Sequence, residues 1–143
     1  MIDKNSVDLS EYRIMKAEDL LFQADILHQN KKFDGSINRS YYAIFNSIRS
    51  LLALVKLDSV KHSGIISLFD KVYVKTKLFD KKFSEIAHAA FDSRQENDYE
   101  DFYNPSEQES ANQIAGCKEF INEAKKIRQK IIEGGINLPQ TLT

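Results

Sequence analysis

Glycine, proline, cysteine and tryptophan are scarce in this chain of 143 residues, which has five Gly, two Pro, one Cys and no Trp. Sandwiches and barrels need many turns, and turns use Gly and Pro, so this composition argues against an all-β fold. The single cysteine, Cys117, excludes a disulfide framework and a cysteine-rich zinc site. A formal net charge of −1 gives no global basic field of the kind that attracts nucleic acid or membranes.

Long apolar runs are absent as well, and the first residues, which include Asp3 and Lys4, have no apolar signal region. We therefore expect a cytoplasmic protein. The chain does contain 42% hydrophobic and 29% charged residues, which is enough to bury one core and form one ordinary domain.

Hydrophobic residues recur at helical spacing in every long segment of the chain. The pattern predicts an all-α fold, an up-and-down bundle of four main helices plus one short helix. The bundle should occupy residues 1–135, and residues 136–143 should form a flexible C-terminal tail. The four main helices are predicted over residues 10–31, 36–56, 81–97 and 106–133, and the short one begins near Ser63.

Capping residues mark several of the predicted helix ends. Asp8 or Ser10 is placed to cap the first helix, and a turn is expected at residues 34–36 before the second. Ser106 followed by Glu109 fits a capping box for the last helix, which the glycines at 134 and 135 should stop.

The common catalytic motifs are missing from the sequence. There is no phosphate-cradling Gly-rich loop, no nucleophile elbow and no paired-His zinc helix. Cys117 lies on an apolar helical stripe, which is typical of a buried structural thiol. His88 and Asp92 share a helix face, but two ligands are too few for a metal site. We therefore expect neither a metal nor another cofactor.

Two polar clusters remain that could carry chemistry. In the first, Arg39, Tyr42 and Asn46 lie three or four residues apart, beside the apolar stripe of the second helix. An Arg near a Tyr ring at a helix seam can stack, donate hydrogen bonds or bind a phosphate. The alternative interpretation is a buried polar seam that only holds the helices together.

The second cluster, at residues 94–99, ends the fourth helix. Asp98 lies one helical turn after Arg94, so the two are expected to form an ion pair. An Arg beside a Tyr, here Tyr99, could also serve phosphodiester chemistry. A purely structural ion pair at the helix end is the alternative.

These two clusters and a third segment resemble the HEPN superfamily (higher eukaryotes and prokaryotes nucleotide-binding). The sequence RSYYA at residues 39–43 is similar to the family signature. The sequence KHSGIISLF at residues 61–69 resembles the segment that follows it in one prokaryotic branch, and Arg94 with Asp98 and Tyr99 resembles the third block of that branch. The resemblance covers residues 12–130.

The resemblance implies a helical bundle that dimerises, with the third block at the dimer cleft. Many members are metal-independent ribonucleases or toxins, and others are non-catalytic partners of small nucleotidyltransferases. In the nuclease members an Arg stabilises the phosphate charge, and a His that follows after four to six intervening residues helps a ribose 2′-hydroxyl attack. Here Arg94 takes the Arg position and Tyr99 falls on the His position. An unperturbed Tyr has a pKa of about 10 and is a poor base near pH 7.

Three functional hypotheses follow. The first is a homodimeric HEPN-type protein that binds RNA or a nucleotide through Arg39, Tyr42, Asn46 and Arg94. It would act with a nucleotidyltransferase partner in a toxin–antitoxin or defence system. The second is a metal-independent ribonuclease that uses Arg94 with Tyr99 or Asp98. The third is a non-catalytic interaction module. A homodimer is expected because the wide apolar stripes, above all that of the second helix, leave surface to bury.

Overall fold

The structure of the protein is a computed structural model that describes residues 2–99, 101 and 103–139. Within this part of the chain every regular element is helical and no residue lies in a β-strand, so the predicted all-α fold is confirmed. None of the described helices is long and apolar enough to cross a membrane. The elements are α1 (Lys4–Gln29), α2 (Phe33–Leu54), α3 (His62–Phe69), a π-helical turn (Asp70–Val74), α4 (Lys81–Tyr99) and α5 (Glu107–Ile132).

Helix α2 is the centre of the bundle, because it packs against α1, α3, α4 and α5. Most of its side chains are buried, including Tyr41, Ile44, Ile48 and Leu51 of its apolar stripe, while Phe45 is half-buried. Burial of most of that stripe inside the monomer leaves little of the α2 surface that the sequence suggested for a dimer. The large apolar side chains that remain exposed in the first helix are Leu9, Tyr12, Met15, Phe22 and Ile26.

A buried polar network ties three of the helices together. Arg128 of α5 donates from Nε to Ser10 Oγ of α1 over 2.7 Å, and Ser50 Oγ of α2 donates to the Ser10 carbonyl over 2.7 Å. Glu11 Oε2 lies 2.8 Å from Arg128 Nη2. Small hydroxyl side chains at the α1–α2 contact therefore allow close packing and give a buried guanidinium its acceptor.

The start of α1 differs from the prediction. The helix begins at Lys4, with Asp3 as its N-cap and no side-chain cap, so Asp8 and Ser10 lie inside the helix and the capping prediction was wrong. Helical burial continues toward the N-terminus through Ser6, which is only 7% exposed. A small polar residue on the buried face carries no hydrophobic signal, which is why the pattern appeared to begin later.

The predicted turn at residues 34–36 is also part of a helix, the first turn of α2. Two contacts with α1 explain the difference. Ser36 Oγ donates to the carbonyl of Ala24 over 2.9 Å. A Cβ on Gly35 would lie 3.2 Å from Leu27, so the glycine allows α1 and α2 to approach closely.

The residues predicted to cap and to stop the last helix do so in the structure. Ser106 is the N-cap of α5, and its Oγ accepts the Glu109 amide over 3.0 Å. Gly134 has a φ of 81°, in the left-handed region that favours glycine after a helix. Cys117 is fully buried, as its place on the apolar stripe predicted. The last residues of the predicted tail, 140–143, lie outside the described residues.

Candidate functional site

Arg94 of α4 lies over two tyrosine rings of α2. Its Cζ is 5.6 Å from the ring centroids of both Tyr41 and Tyr42, and its Nη2 donates to Tyr42 Oη over 3.2 Å. The Arg94 side chain keeps 17% of its surface exposed. A guanidinium over aromatic faces is stabilised by stacking and by the ring quadrupoles, which holds its plane in place.

Asp98 lies one turn further along α4 and pairs with Arg94, as predicted. The Arg94 Nε to Asp98 Oδ2 distance is 2.8 Å. Nε is buried and in contact with the Asp98 carboxylate, so the exposed part of the Arg94 side chain does not include Nε.

His62, the first residue of α3, completes the cluster. Its Nδ1 lies 2.9 Å from Tyr41 Oη, and its ring stacks on Phe45 with centroids 4.4 Å apart. Burial, followed by the positive charges of Arg94 and Arg49, holds the pKa of His62 below its usual value. The imidazole is therefore neutral near pH 7, and burial also raises the pKa of Tyr41, which stays a phenol. We call Arg94, Tyr41, Tyr42, Phe45 and His62 the Arg94 site.

The turn before α3 explains why His62 is held against α2. Gly64 packs on Ser59, and a Cβ at position 64 would lie 2.2 Å from Ser59 Oγ and 3.0 Å from Ser59 Cβ. The same Oγ accepts the Lys61 amide over 3.3 Å. The glycine of the KHSG segment is therefore needed for close packing, and this packing sets the position of the helix that begins at His62.

Arg49 is a second guanidinium at the edge of the Arg94 site. Its Cζ lies 6.0 Å from the Phe45 centroid, and its Nη2 is 3.2 Å from Asp58 Oδ2. Because both Arg49 and Arg94 influence the pKa of His62, the imidazole lies in the positive field of two helices.

The structure brings together some of the residues that the sequence selected. Tyr42, Arg94 and Asp98 are in contact. Asn46 is 7% exposed and uses its Nδ2 to bond the Tyr42 carbonyl, so it supports α2 at the site. Arg39 is directed away, toward Gln23 of α1 and its own neighbour Asn38, and no described contact joins it to Arg94. The side chain of Tyr99 lies outside the described part of the chain.

His62 is the residue that sequence reasoning missed. It was part of the KHSG segment, but 21 residues separate it from Tyr41 and no local periodicity connects them. His88, which the sequence analysis set aside as a metal ligand, has its Nε2 2.8 Å from Asp70 Oδ2. In the described ranges no three or more His, Cys, Asp or Glu side chains group closely enough to hold a metal ion.

A groove of about 290 Å³ lies between α4 and α5, away from the residues of the Arg94 site. Its floor includes Ile44 and Ile86, and its polar lining includes Glu109 but no Lys or Arg. An apolar groove with a carboxylate and no cation does not suit a phosphate. The Arg94 site is therefore the better candidate for anion binding.

Similar proteins were found over most of the chain. "Putative toxin MJ0142" of Methanocaldococcus jannaschii is 29% identical over 87% of this chain and 86% of its own length. "Putative toxin MJ0605" of the same organism is 31% identical over 81% of this chain and 86% of its own. A "UPF0332 protein" of Thermotoga maritima is 28% identical over 82% of this chain and 89% of its own.

The HEPN domain model matches residues 10–128. This range contains all five residues of the Arg94 site and most of the helical bundle. The chain therefore belongs to the HEPN domain family.

Proposed function

We propose that this protein binds RNA or a nucleotide by holding a phosphate group at Arg94. The observation that carries the proposal is the state of the guanidinium. Two rings and Tyr42 Oη hold it in place, and 17% of the Arg94 side chain stays exposed. A fixed, partly exposed guanidinium suits a phosphate, because it offers charge-assisted and often bidentate contacts.

The aromatic part of the Arg94 site supports a single-stranded ligand. Tyr42, Phe45 and His62 are each half-buried, so none of the three residues is closed off from solvent. Unpaired bases stack on such rings, whereas paired bases are already stacked within a duplex. The proposed ligand is therefore a nucleotide or a single-stranded RNA segment.

We further propose that the protein acts as a homodimer. The exposed α1 side chains Tyr12, Met15, Phe22 and Ile26 recur at helical spacing and are 43–65% exposed. An apolar stripe of this kind on a monomer surface is typical of an interaction site. Light scattering should give twice the mass of the chain, and Phe22→Asp should shift the particle toward the monomer. A monomer at micromolar concentration would contradict the proposal.

A toxin–antitoxin role with a small nucleotidyltransferase partner is the biological setting that we propose. Support comes from the names of two relatives, which contain the word toxin, and from the family resemblance. Overexpression should arrest growth, and Arg94→Ala should relieve that arrest. Growth unaffected by the parent protein would contradict the toxin role and leave the binding proposal open to its own test.

Fluorescence anisotropy with a labelled single-stranded RNA 12-mer tests the binding proposal. At about 50 mM salt, Arg94→Ala should weaken binding by about 10–100-fold, the range expected for a charge-assisted contact. Lys126→Ala is the matched control, since it removes one exposed positive charge on α5 and should change the affinity by less than about threefold.

Two further results would decide the interpretation of that assay. Arg94→Lys keeps the charge but loses the planar fork, so an intermediate loss indicates bidentate contact. If the Arg94→Ala protein is helical by circular dichroism and binds RNA as the parent does, Arg94 is not the phosphate ligand. The hypothesis of a purely structural seam would then be the better one.

A further inference from the structure

We propose that Arg13 of α1 and Arg49 of α2 form a second phosphate site, which the carboxylate of Asp58 occupies until an RNA phosphate displaces it. The inference rests on the proposed function, because it places a further phosphate of the same strand beyond the one at Arg94. It gives Asp58, which lies in the connection between α2 and α3, the role of an internal competitor for RNA.

One oxygen of Asp58 faces both guanidiniums. Oδ2 lies 3.2 Å from Arg49 Nη2 and 3.9 Å from Arg13 Nη2, and Arg13 Nη1 donates to the Arg49 carbonyl over 3.1 Å. The two arginines are therefore held side by side. A phosphodiester shares its charge between two non-bridging oxygens and can offer one to each guanidinium, whereas Asp58 reaches Arg13 only at the longer distance.

The cluster of these three side chains has more positive than negative charge. In the described part of the chain, Asp58 is the only acidic side chain that pairs with either arginine, so one carboxylate faces two cations. Burial, followed by the positive charge of Arg49, holds the pKa of Arg13 below its usual value, although Asp58 offsets part of this effect. Because a guanidinium keeps its proton in proteins, a further anion is what relieves the repulsion.

The proposed site is accessible to a ligand. The side chains of Arg49 and Asp58 keep 30% and 54% of their surface exposed. Arg13 is more buried, but it borders a cavity of about 420 Å³ that Lys56 and Asp58 also line. Residues 57–59 have no regular secondary structure. An exposed ion pair contributes little to stability, so a phosphate can displace this carboxylate at little cost.

Arg49 extends the Arg94 site along one face of α2. Tyr42, Phe45 and Arg49 are three and four residues apart, so they share that face, and Arg49 lies about 10 Å beyond Tyr42 along the helix. Arg49 Cζ is 6.0 Å from the Phe45 centroid, and Arg94 Cζ is 5.6 Å from the Tyr42 centroid. The two rings are 6.2 Å apart. A base stacked on Phe45 would therefore have one flanking phosphate toward Arg94 and the other toward Arg49.

This arrangement favours a strand over a nucleotide with one phosphate. A single phosphate can occupy Arg94 or the Arg13–Arg49 pair, but not both. A ligand with phosphates on both sides of one base can occupy the two sites together, and its second contact forms within the complex. Uridine 3′,5′-bisphosphate should therefore displace a labelled RNA at about tenfold lower concentration than uridine 5′-monophosphate, and Arg49→Gln should reduce that advantage to about threefold or less.

Fluorescence anisotropy with a labelled single-stranded RNA 12-mer and the full chain tests the role of Arg49. At about 50 mM salt, Arg49→Gln should weaken binding by about tenfold. The slope of log affinity against log salt should become shallower by about 0.7, the value for one lost phosphate contact with a single strand. Lys126→Gln is the matched control, because it removes one exposed charge on α5 and should change the affinity by less than about threefold.

Asp58→Asn tests whether the carboxylate competes with RNA. Asn keeps a side-chain oxygen for the Ser59 amide, which Asp58 Oδ1 now accepts over 2.9 Å, and removes the charge. The affinity for the 12-mer should rise by about 3–10-fold, and the rise should be smaller when Arg49→Gln is also present. Asp8→Asn is the matched control. It changes the net charge equally at an exposed pair with Lys4, and it should change the affinity by less than about twofold.

The outcomes distinguish this inference from the proposed function. If Arg94→Ala weakens binding but Arg49→Gln and Asp58→Asn bind as the parent does, the second site is wrong and the proposed function stands. If Asp58→Asn weakens binding, the carboxylate supports the connection before α3 and does not compete with RNA, which also overturns the inference. If the parent binds no RNA, both proposals fail. Should Arg49→Gln not fold by circular dichroism, Asp58→Asn and its control still decide between these results.

Discussion

The contact between Gly64 and Ser59 gives a prediction whose sign depends on two opposing effects. Gly64 lies inside α3, where replacement of Gly by Ala usually stabilises a helix by about 1 kcal/mol. Here the new Cβ would lie 2.2 Å from Ser59 Oγ and 3.0 Å from Ser59 Cβ. Rotation of Ser59 relieves the first clash but breaks the bond from the Lys61 amide, and the second clash remains until the backbone moves.

The clash should outweigh the helix propensity. Overpacking of a close contact costs about 1–3 kcal/mol, and the lost hydrogen bond adds about 1 kcal/mol. With the propensity gain of about 1 kcal/mol subtracted, we expect Gly64→Ala to lower the free energy of unfolding by about 1–3 kcal/mol. For a chain of this size the melting temperature should fall by about 3–10 °C. Chemical denaturation followed by circular dichroism measures the difference.

The same substitution in a Ser59→Gly variant tests whether the clash with Ser59 is the cause. Ser59→Gly removes both atoms that the new Cβ would meet, so only the propensity gain remains. In the Ser59→Gly variant, Gly64→Ala should leave the free energy of unfolding unchanged or raise it, whereas with Ser59 present it should lower it. If Gly64→Ala is as stable as the parent while Ser59 is present, the turn adjusts freely, and the explanation given for the position of His62 is wrong.

Three further predictions concern buried and titrating groups. Burial raises the pKa of Cys117 to about 12, so a thiol reagent at pH 8 should label it only after unfolding, and rapid labelling of the native protein would contradict its burial. Arg128→Ala should lower the free energy of unfolding in urea by about 2–4 kcal/mol, because it removes a buried hydrogen-bond network. Glu11→Gln should lower it by less than about 1 kcal/mol, because that carboxylate is half exposed. Equal losses in the two variants would refute this explanation. The pKa of His62 is lowered in the folded state, so the unfolded chain binds a proton more readily. The free energy of unfolding should therefore fall as the pH drops from 7.5 through 6.5. In thermal melts over the same pH range, the melting temperature of His62→Gln should fall by less than that of the parent.

The parts of the fold that follow from local signals were predictable. The Ser106 cap of α5, the left-handed Gly134 and the apolar stripe with Cys117 each depend on residues within a few positions of one another. The starts of α1 and α2 were not predictable, because they depend on contacts between helices. Ser36 bonds a carbonyl of α1, and such a contact exists only after the two helices have packed.

The same division applies to the candidate site. The Arg94–Asp98 pair spans one helical turn and could be read from the spacing alone. The contacts of Arg94 with Tyr42 and of His62 with Tyr41 join residues 52 and 21 positions apart. Only the packing of α3 and α4 on α2 brings them together, so the sequence could name the arginine but not its histidine neighbour.

The account depends most directly on a phosphate contact at Arg94, and nuclear magnetic resonance of the arginine Nε–H groups can observe that contact. The chain has five arginines, and Arg94→Lys identifies the Arg94 signal. Its Nε lies 2.8 Å from Asp98 Oδ2, and a phosphate bound at the same guanidinium should shift this resonance strongly. Titration with a single-stranded RNA dinucleotide should move the Arg94 signal to saturation, with the dissociation constant found by anisotropy. An Arg94 signal that stays fixed while the dinucleotide binds elsewhere would contradict the account.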